Sequence, residues 1–291
     1  MPIIDAHHHV WDLAVRDQPW TADLPALRRS FQVADLEPLA AASGITATVL
    51  VQTIHAAEET PEMLALADSS DLIAGVVGWT DVAAPDFAER LAGLREGVGG
   101  RWLVGIRHQV QELADGSWLT EAATVKGLRH LAASGLTFDL IVRADQIRSC
   151  AAAAREVPEL SFVLDHLGKP LIASGEMEPW ASDVRVLAAL PNVTCKLSGM
   201  VTEADHRSWT TADLRPYAET VLDAFGPERV MFGSDWPVCT LAAEYAQVVE
   251  SARELTGGLR DLELEDVFSG TAARVYRLGF DAAAAPTTNL A

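Results

Sequence analysis

Residues 3–11, Ile3-Ile4-Asp5-Ala6-His7-His8-His9-Val10-Trp11, begin as a short apolar segment and run directly into three histidines. The apolar, β-branched start predicts a strand over 3–7. An open, doubly wound sheet would commonly place a glycine-rich phosphate loop after its first strand. Here that position is taken by ionisable side chains, which favours a closed barrel whose strand ends carry chemistry.

The same alternation continues outward from this strand. Short apolar segments at 46–52, 72–79, 103–108, 137–142, 161–166, 193–197 and 230–235 predict seven further strands. Helical periodicity fills the gaps at 33–43, 59–69, 84–97, 120–134, 144–156, 178–190, 212–225 and 240–255, and a last helix is expected near 264–277. Eight strand-then-helix units match the order and size of a single-domain α/β protein, a (β/α)8 TIM barrel. No Pro/Gly/Ser-rich linker divides the chain, so residues 1–280 are read as one domain and 281–291, small and polar, as a C-terminal tail.

Composition narrows the partners. The 291 residues are 49% hydrophobic and 22% charged, enough to bury a large core and too apolar for a disordered chain. Forty-one acidic against 22 basic side chains leave a net charge of −19, which repels a phosphate backbone or an anionic membrane surface. Neither nucleic acid nor membrane is expected as a partner. The cysteines, Cys150, Cys195 and Cys239, form no compact metal or disulfide spacing. Reduced thiols, and a start without a basic flank and long apolar run, predict a cytoplasmic protein.

Polar and ionisable residues gather at the C-terminal ends of the expected strands, the end of a barrel where catalytic groups collect. Seven of the eight ends carry one: His7 and His9, Gln52, Arg107 and His108, Arg143, His166, Lys196 and Asp235. Strand periodicity would put His7 and His9 on one face with Ile3 and Asp5, His166 with Leu164, Lys196 with Thr194, and Asp235 with Gly233. Histidines at i and i+2 reach a common ion or oxyanion. A carboxylate beside them can ligate that ion or take a proton from water, and either arrangement makes a hydrolytic nucleophile. Each residue also has a plainer reading: His166 as a hydrogen-bonded core histidine, Asp235 as a brace for the turn before Pro237, the cations as structural ion pairs. Their shared position at strand ends favours chemistry. Cys239 has no adjacent base, and His55, His130 and His206 fall in loops or helices where packing is the default.

The segments IIDAHHHVW, LVQT, IAGVVGWTDV, GIRHQVQ, FDLIVR, FVLDHLGKP, CKLSGMVTEAD and MFGSDWPV resemble, in order and over essentially the whole chain, the amidohydrolase superfamily. Within it they are most similar to the sugar-lactone hydrolases, the L-fuconolactonase-like and L-rhamnonolactonase-like enzymes. The resemblance implies hydrolysis of a cyclic ester, an aldonolactone, to the sugar acid. His7 and His9 match the first-strand pair, His166 the sixth-strand histidine and Asp235 the eighth-strand aspartate that activates water. Arg107, His108, Arg143, Lys196 and Gln52 would then bind substrate, with Trp79 and Trp236 packing on its ring. The fifth-strand histidine and fourth-strand lysine of binuclear members are missing. That implies one divalent ion, zinc first, held by His7, His9 and Asp235, or catalysis without a metal. A metal-dependent decarboxylase of the same superfamily and an inert sugar-acid-binding barrel are the alternatives.

Overall fold

A computed structural model describes residues 3–279. The tail expected at 281–291 lies outside the described residues. Eight parallel strands form one sheet in chain order: β1 Ile3–His8, β2 Ile45–Val51, β3 Ile73–Gly78, β4 Leu103–His108, β5 Thr137–Leu140, β6 Phe162–Leu164, β7 Val193–Leu197 and β8 Val230–Phe232. Beyond β8 the chain closes back on β1, where Asp235 N donates to His7 O at 2.8 Å and His9 N to Trp236 O at 2.7 Å. This is a (β/α)8 TIM barrel.

Helices α1 Val33–Ser43, α2 Glu59–Asp68, α3 Phe87–Glu96, α4 Ala122–Ser134, α5 Ile147–Glu156 and α6 Trp180–Ala188 follow the first six strands. A short α7, Met200–Glu203, precedes α8 Thr211–Phe225, and α9 Tyr245–Thr256 follows β8. The single helix expected at 264–277 is instead two short α-helices, Asp261–Glu265 and Thr271–Val275, joined by the π-helical turn Asp266–Gly270. None of the described helices is long and apolar enough to cross a membrane.

Two apolar layers hold the fold. Outward residues such as Phe138, Leu140, Phe162, Leu164 and Phe232 pack with the helices. Inside the barrel Ile4, Ala6, Val49, Val77, Val163 and Met231 meet Tyr276 and Leu278. Parallel strands buried on both faces read as near-continuous apolar runs, as these do.

The interior layer corrects two of the expected strand phases, those of β1 and β6. Ile4 and Ala6 face inward, whereas Asp5 accepts from Tyr245 Oη at 2.9 Å and Ser234 N at 2.7 Å. The phase then breaks: Asp5 pairs with Thr48 and His8 with Leu50, so three steps of β1 span two of β2. This bulge turns His7 and His9 toward the interior. In β6 the inward residue is Val163, and the strand ends at Leu164, so His166 lies beyond it. Asp235 likewise lies beyond β8, which ends at Phe232. Both have left-handed backbones, His166 at φ 53° and Asp235 at φ 59°.

Candidate active site

The irregular strand ends bring four predicted residues to one point. His7 Nε2 is 3.2 Å from His9 Nε2, and Asp235 Oδ1 lies 3.4 Å from His9 Nε2, 3.7 Å from His7 Nε2 and 3.9 Å from His166 Nε2. All four side chains are buried. His9 Nδ1 sits 2.7 Å from the Val51 carbonyl oxygen, so Nδ1 carries a proton and Nε2 is turned to the cluster. His166 Nδ1 is 2.9 Å from Ser198 Oγ.

Electrostatics favour an ionised aspartate beside neutral His7 and His166. Burial pushes the Asp235 carboxyl up, but His166, His9 and Lys169 outweigh it and the net shift is downward. Burial holds His166 down to about 4 and, with the nearby Lys196 charge, keeps His7 well below its ordinary value.

A cavity of about 130 Å³ opens above the cluster, lined by His9, His166, Asp235 and Arg107 among the expected residues. His7 is fully buried beneath it. Arg107 NH1 bonds Asp165 Oδ2 at 3.0 Å and NH2 bonds the Gln52 carbonyl, while its Nε is buried without a partner among the described residues.

The other expected substrate contacts lie elsewhere. Lys196 is fully buried below the mouth, its Nζ 2.7 Å from Asp139 Oδ2, 3.0 Å from Asp165 Oδ1 and 3.1 Å from His7 Nδ1. Its inward phase is as expected, but it sits too deep to meet a ligand, and Asp139 also takes the Tyr276 hydroxyl at 2.6 Å. Arg143 lies past the end of β5 and spends its guanidinium on the Gln111 and Leu113 carbonyls and Asp145, bracing the β4 loop. Gln52 is buried, donating to Arg107 O at 3.4 Å. Trp236 is covered and meets Phe31 edge-on, with centroids 5.6 Å apart.

Trp79 and His108 join a stack of rings beside the cavity. Trp79 lies on His55 at 5.1 Å, His55 on His108 at 4.1 Å and His108 on Trp118 at 4.0 Å. Both faces of His108 are thereby occupied.

Several lining residues escaped the sequence reading: Lys169, Trp20, Gln109 and Thr53. Lys169 had a usable signal, since it stands three residues after His166 in HLGKP. The others come from loops and a single 3-10 turn, Pro19–Thr21, too short to carry a period.

The family model for amidohydrolase matches residues 4–278. The chain belongs to the amidohydrolase family. This amidohydrolase is 40% identical over 287 residues to an L-fucono-1,5-lactonase of Burkholderia multivorans, covering 94% of this chain and 96% of that one. It is 40% identical over 243 residues to an L-fucono-1,5-lactonase of Burkholderia ambifaria, covering 83% and 82%. A crystal structure of an amidohydrolase from Burkholderia multivorans with bound zinc matches with a TM-score of 0.88 at 39% identity, covering 96% of this chain and 100% of that one.

A divalent ion fits the cluster here. Tetrahedral zinc with bonds of about 2.0–2.2 Å sets its ligand atoms about 3.3–3.6 Å apart. The separations of 3.2, 3.4 and 3.7 Å among His7 Nε2, His9 Nε2 and Asp235 Oδ1 match that spacing. The His9 tautomer is already the one a metal requires.

Proposed function

We propose that this amidohydrolase opens a sugar lactone, with L-fucono-1,5-lactone the first substrate to test, to the corresponding aldonate. What carries the reading is the 40% identity to an L-fucono-1,5-lactonase across 94% of the chain. The geometry supports it, because an ionised aspartate at a buried histidine cluster faces a cavity small enough for one sugar ring. Asp235 takes a proton from water, whose oxygen attacks the lactone carbonyl carbon while the carbonyl π pair moves to oxygen. Arg107 and His166 line the cavity in which that oxyanion forms. Collapse re-forms the carbonyl and breaks the ring C–O bond, and the departing ring oxygen takes the proton back from Asp235. One zinc ion held by His7, His9 and Asp235 would polarise the carbonyl as a Lewis acid.

All three cysteines are unpaired, which supports a cytoplasmic location. The lactone is the only partner proposed. Following acidification during incubation with a panel of aldonolactones tests the activity. Turnover of L-fucono-1,5-lactone far above spontaneous hydrolysis is expected, and no turnover of any lactone overturns the reading. Chelator should abolish turnover and zinc restore it, whereas full activity in metal-stripped protein would select catalysis by the side chains alone.

A further inference from the structure

Two cations line the cavity, Arg107 and Lys169, and they differ in how far their charge is already used. Arg107 is buried with its NH1 3.0 Å from Asp165 Oδ2, so its charge is already paired at the cavity wall. Lys169 makes no side-chain hydrogen bond among the described residues, and its ion-pair partner is Glu203 Oε1 at 3.6 Å, too far for a good hydrogen bond. Its side chain is 28% exposed, so the ammonium keeps its three N–H donors for whatever enters the mouth.

A run of left-handed backbone precedes and includes it. His166, Leu167, Gly168 and Lys169 have φ of 53°, 56°, 72° and 53°, a left-handed turn in which three of four residues carry a Cβ. Left-handed backbone is disfavoured for such residues. The turn sets His166 and Lys169 on the same cavity, where the Lys169 charge acts on both His166 and Asp235. Strain of this kind is kept where the surrounding structure and the chemistry need it.

Resting on the lactonase reading, we infer that Lys169 is a catalytic residue that binds the anionic oxygen made at the lactone carbonyl, first as the oxyanion and then as the product carboxylate. It is the one lining ammonium, and ring opening turns a neutral ester into an anion beside it. Glu203 competes for the same ammonium and so weakens product retention.

Product inhibition tests this. The probe is the aldonate obtained by alkaline opening of L-fucono-1,5-lactone, used as an inhibitor of turnover and titrated calorimetrically onto the protein. Lys169→Met should weaken aldonate binding about 10- to 100-fold and lower kcat/KM by a similar factor, as expected for loss of a charged hydrogen bond. Lys169→Arg should recover most of the binding. Glu203→Gln should shift binding the opposite way, tightening it, which a merely structural role for Lys169 would not produce. Aldonate affinity unchanged in Lys169→Met, or lost equally in Lys169→Arg, overturns the inference. A protein that opens no lactone yet binds aldonate in a Lys169-dependent way would overturn the function and keep the binding role.

Discussion

Asp235 has its Oδ1 within 3.4–3.9 Å of three histidine nitrogens and a carboxyl held below its ordinary range. A carboxylate in that setting stays ionised at neutral pH and so remains available as a base. Replacing it with the isosteric amide removes both the base and the anionic ligand while leaving the volume unchanged. Asp235→Asn should therefore lower kcat by about 10²–10⁴-fold, the usual range for a general base. Steady-state rates on the best lactone, with circular dichroism to show an unchanged fold, check this; a loss below tenfold would remove Asp235 from the chemistry. The aspartate and the histidines were legible in the sequence because their residue types already carry the chemistry. Lys196 was misplaced because depth along a strand, and the buried carboxylate of Asp139 waiting there, are set by partners distant in the chain.

At the scale of elements, the strand ends matter more than the strands. β7 leads into Gly199, at φ 63°, where a Cβ would fall 2.6 Å from His166 Nδ1. The loop after β7 thus leaves room for the histidine contributed after β6. Gly199→Ala should cost about 1–3 kcal/mol for the backbone conformation and also displace His166. Gly175, at φ 74° with nothing within 4 Å of an added Cβ, provides the control. Gly175→Ala should lower the Tm with kcat unchanged, whereas Gly199→Ala should lower both. Equal kcat in the two variants would show that His166 tolerates the shift. Strand positions were readable from apolar periodicity, which is local. The bulge of β1 was not, because it exists only in the pairing of Asp5 and His8 with β2.

The whole molecule carries a consequence of burying neutral histidines. His8 is fully buried on the opposite side of β1 from the site, with both ring nitrogens unpartnered among the described residues and a pKa lowered by burial to about 3. His166 is lowered to about 4 for the same main reason. In the unfolded chain both return to about 6.5, so below that pH the unfolded state binds more protons and stability falls as pH drops. The contribution is level above pH 6.5 and falls by roughly 1.4 kcal/mol per pH unit for each histidine between there and its folded value. Unfolding in urea at pH 7.5, 6 and 5 should show this decline, with a shallower slope in His8→Leu. Stability that stays level from pH 7.5 to 5 would contradict it.

The sequence by itself determined the eight parallel strands in chain order, the family motifs and the chemical types at the mouth, because apolar period and residue chemistry are properties of short segments. Only the tertiary structure decided which side chains reach the cavity. A bulge redirects His7 and His9, left-handed backbones aim His166, Lys169 and Asp235, and an ion pair with Asp139 draws Lys196 out of reach. Each depends on backbone conformations and partners that no local pattern specifies, since their cost is met by contacts made across the closed barrel.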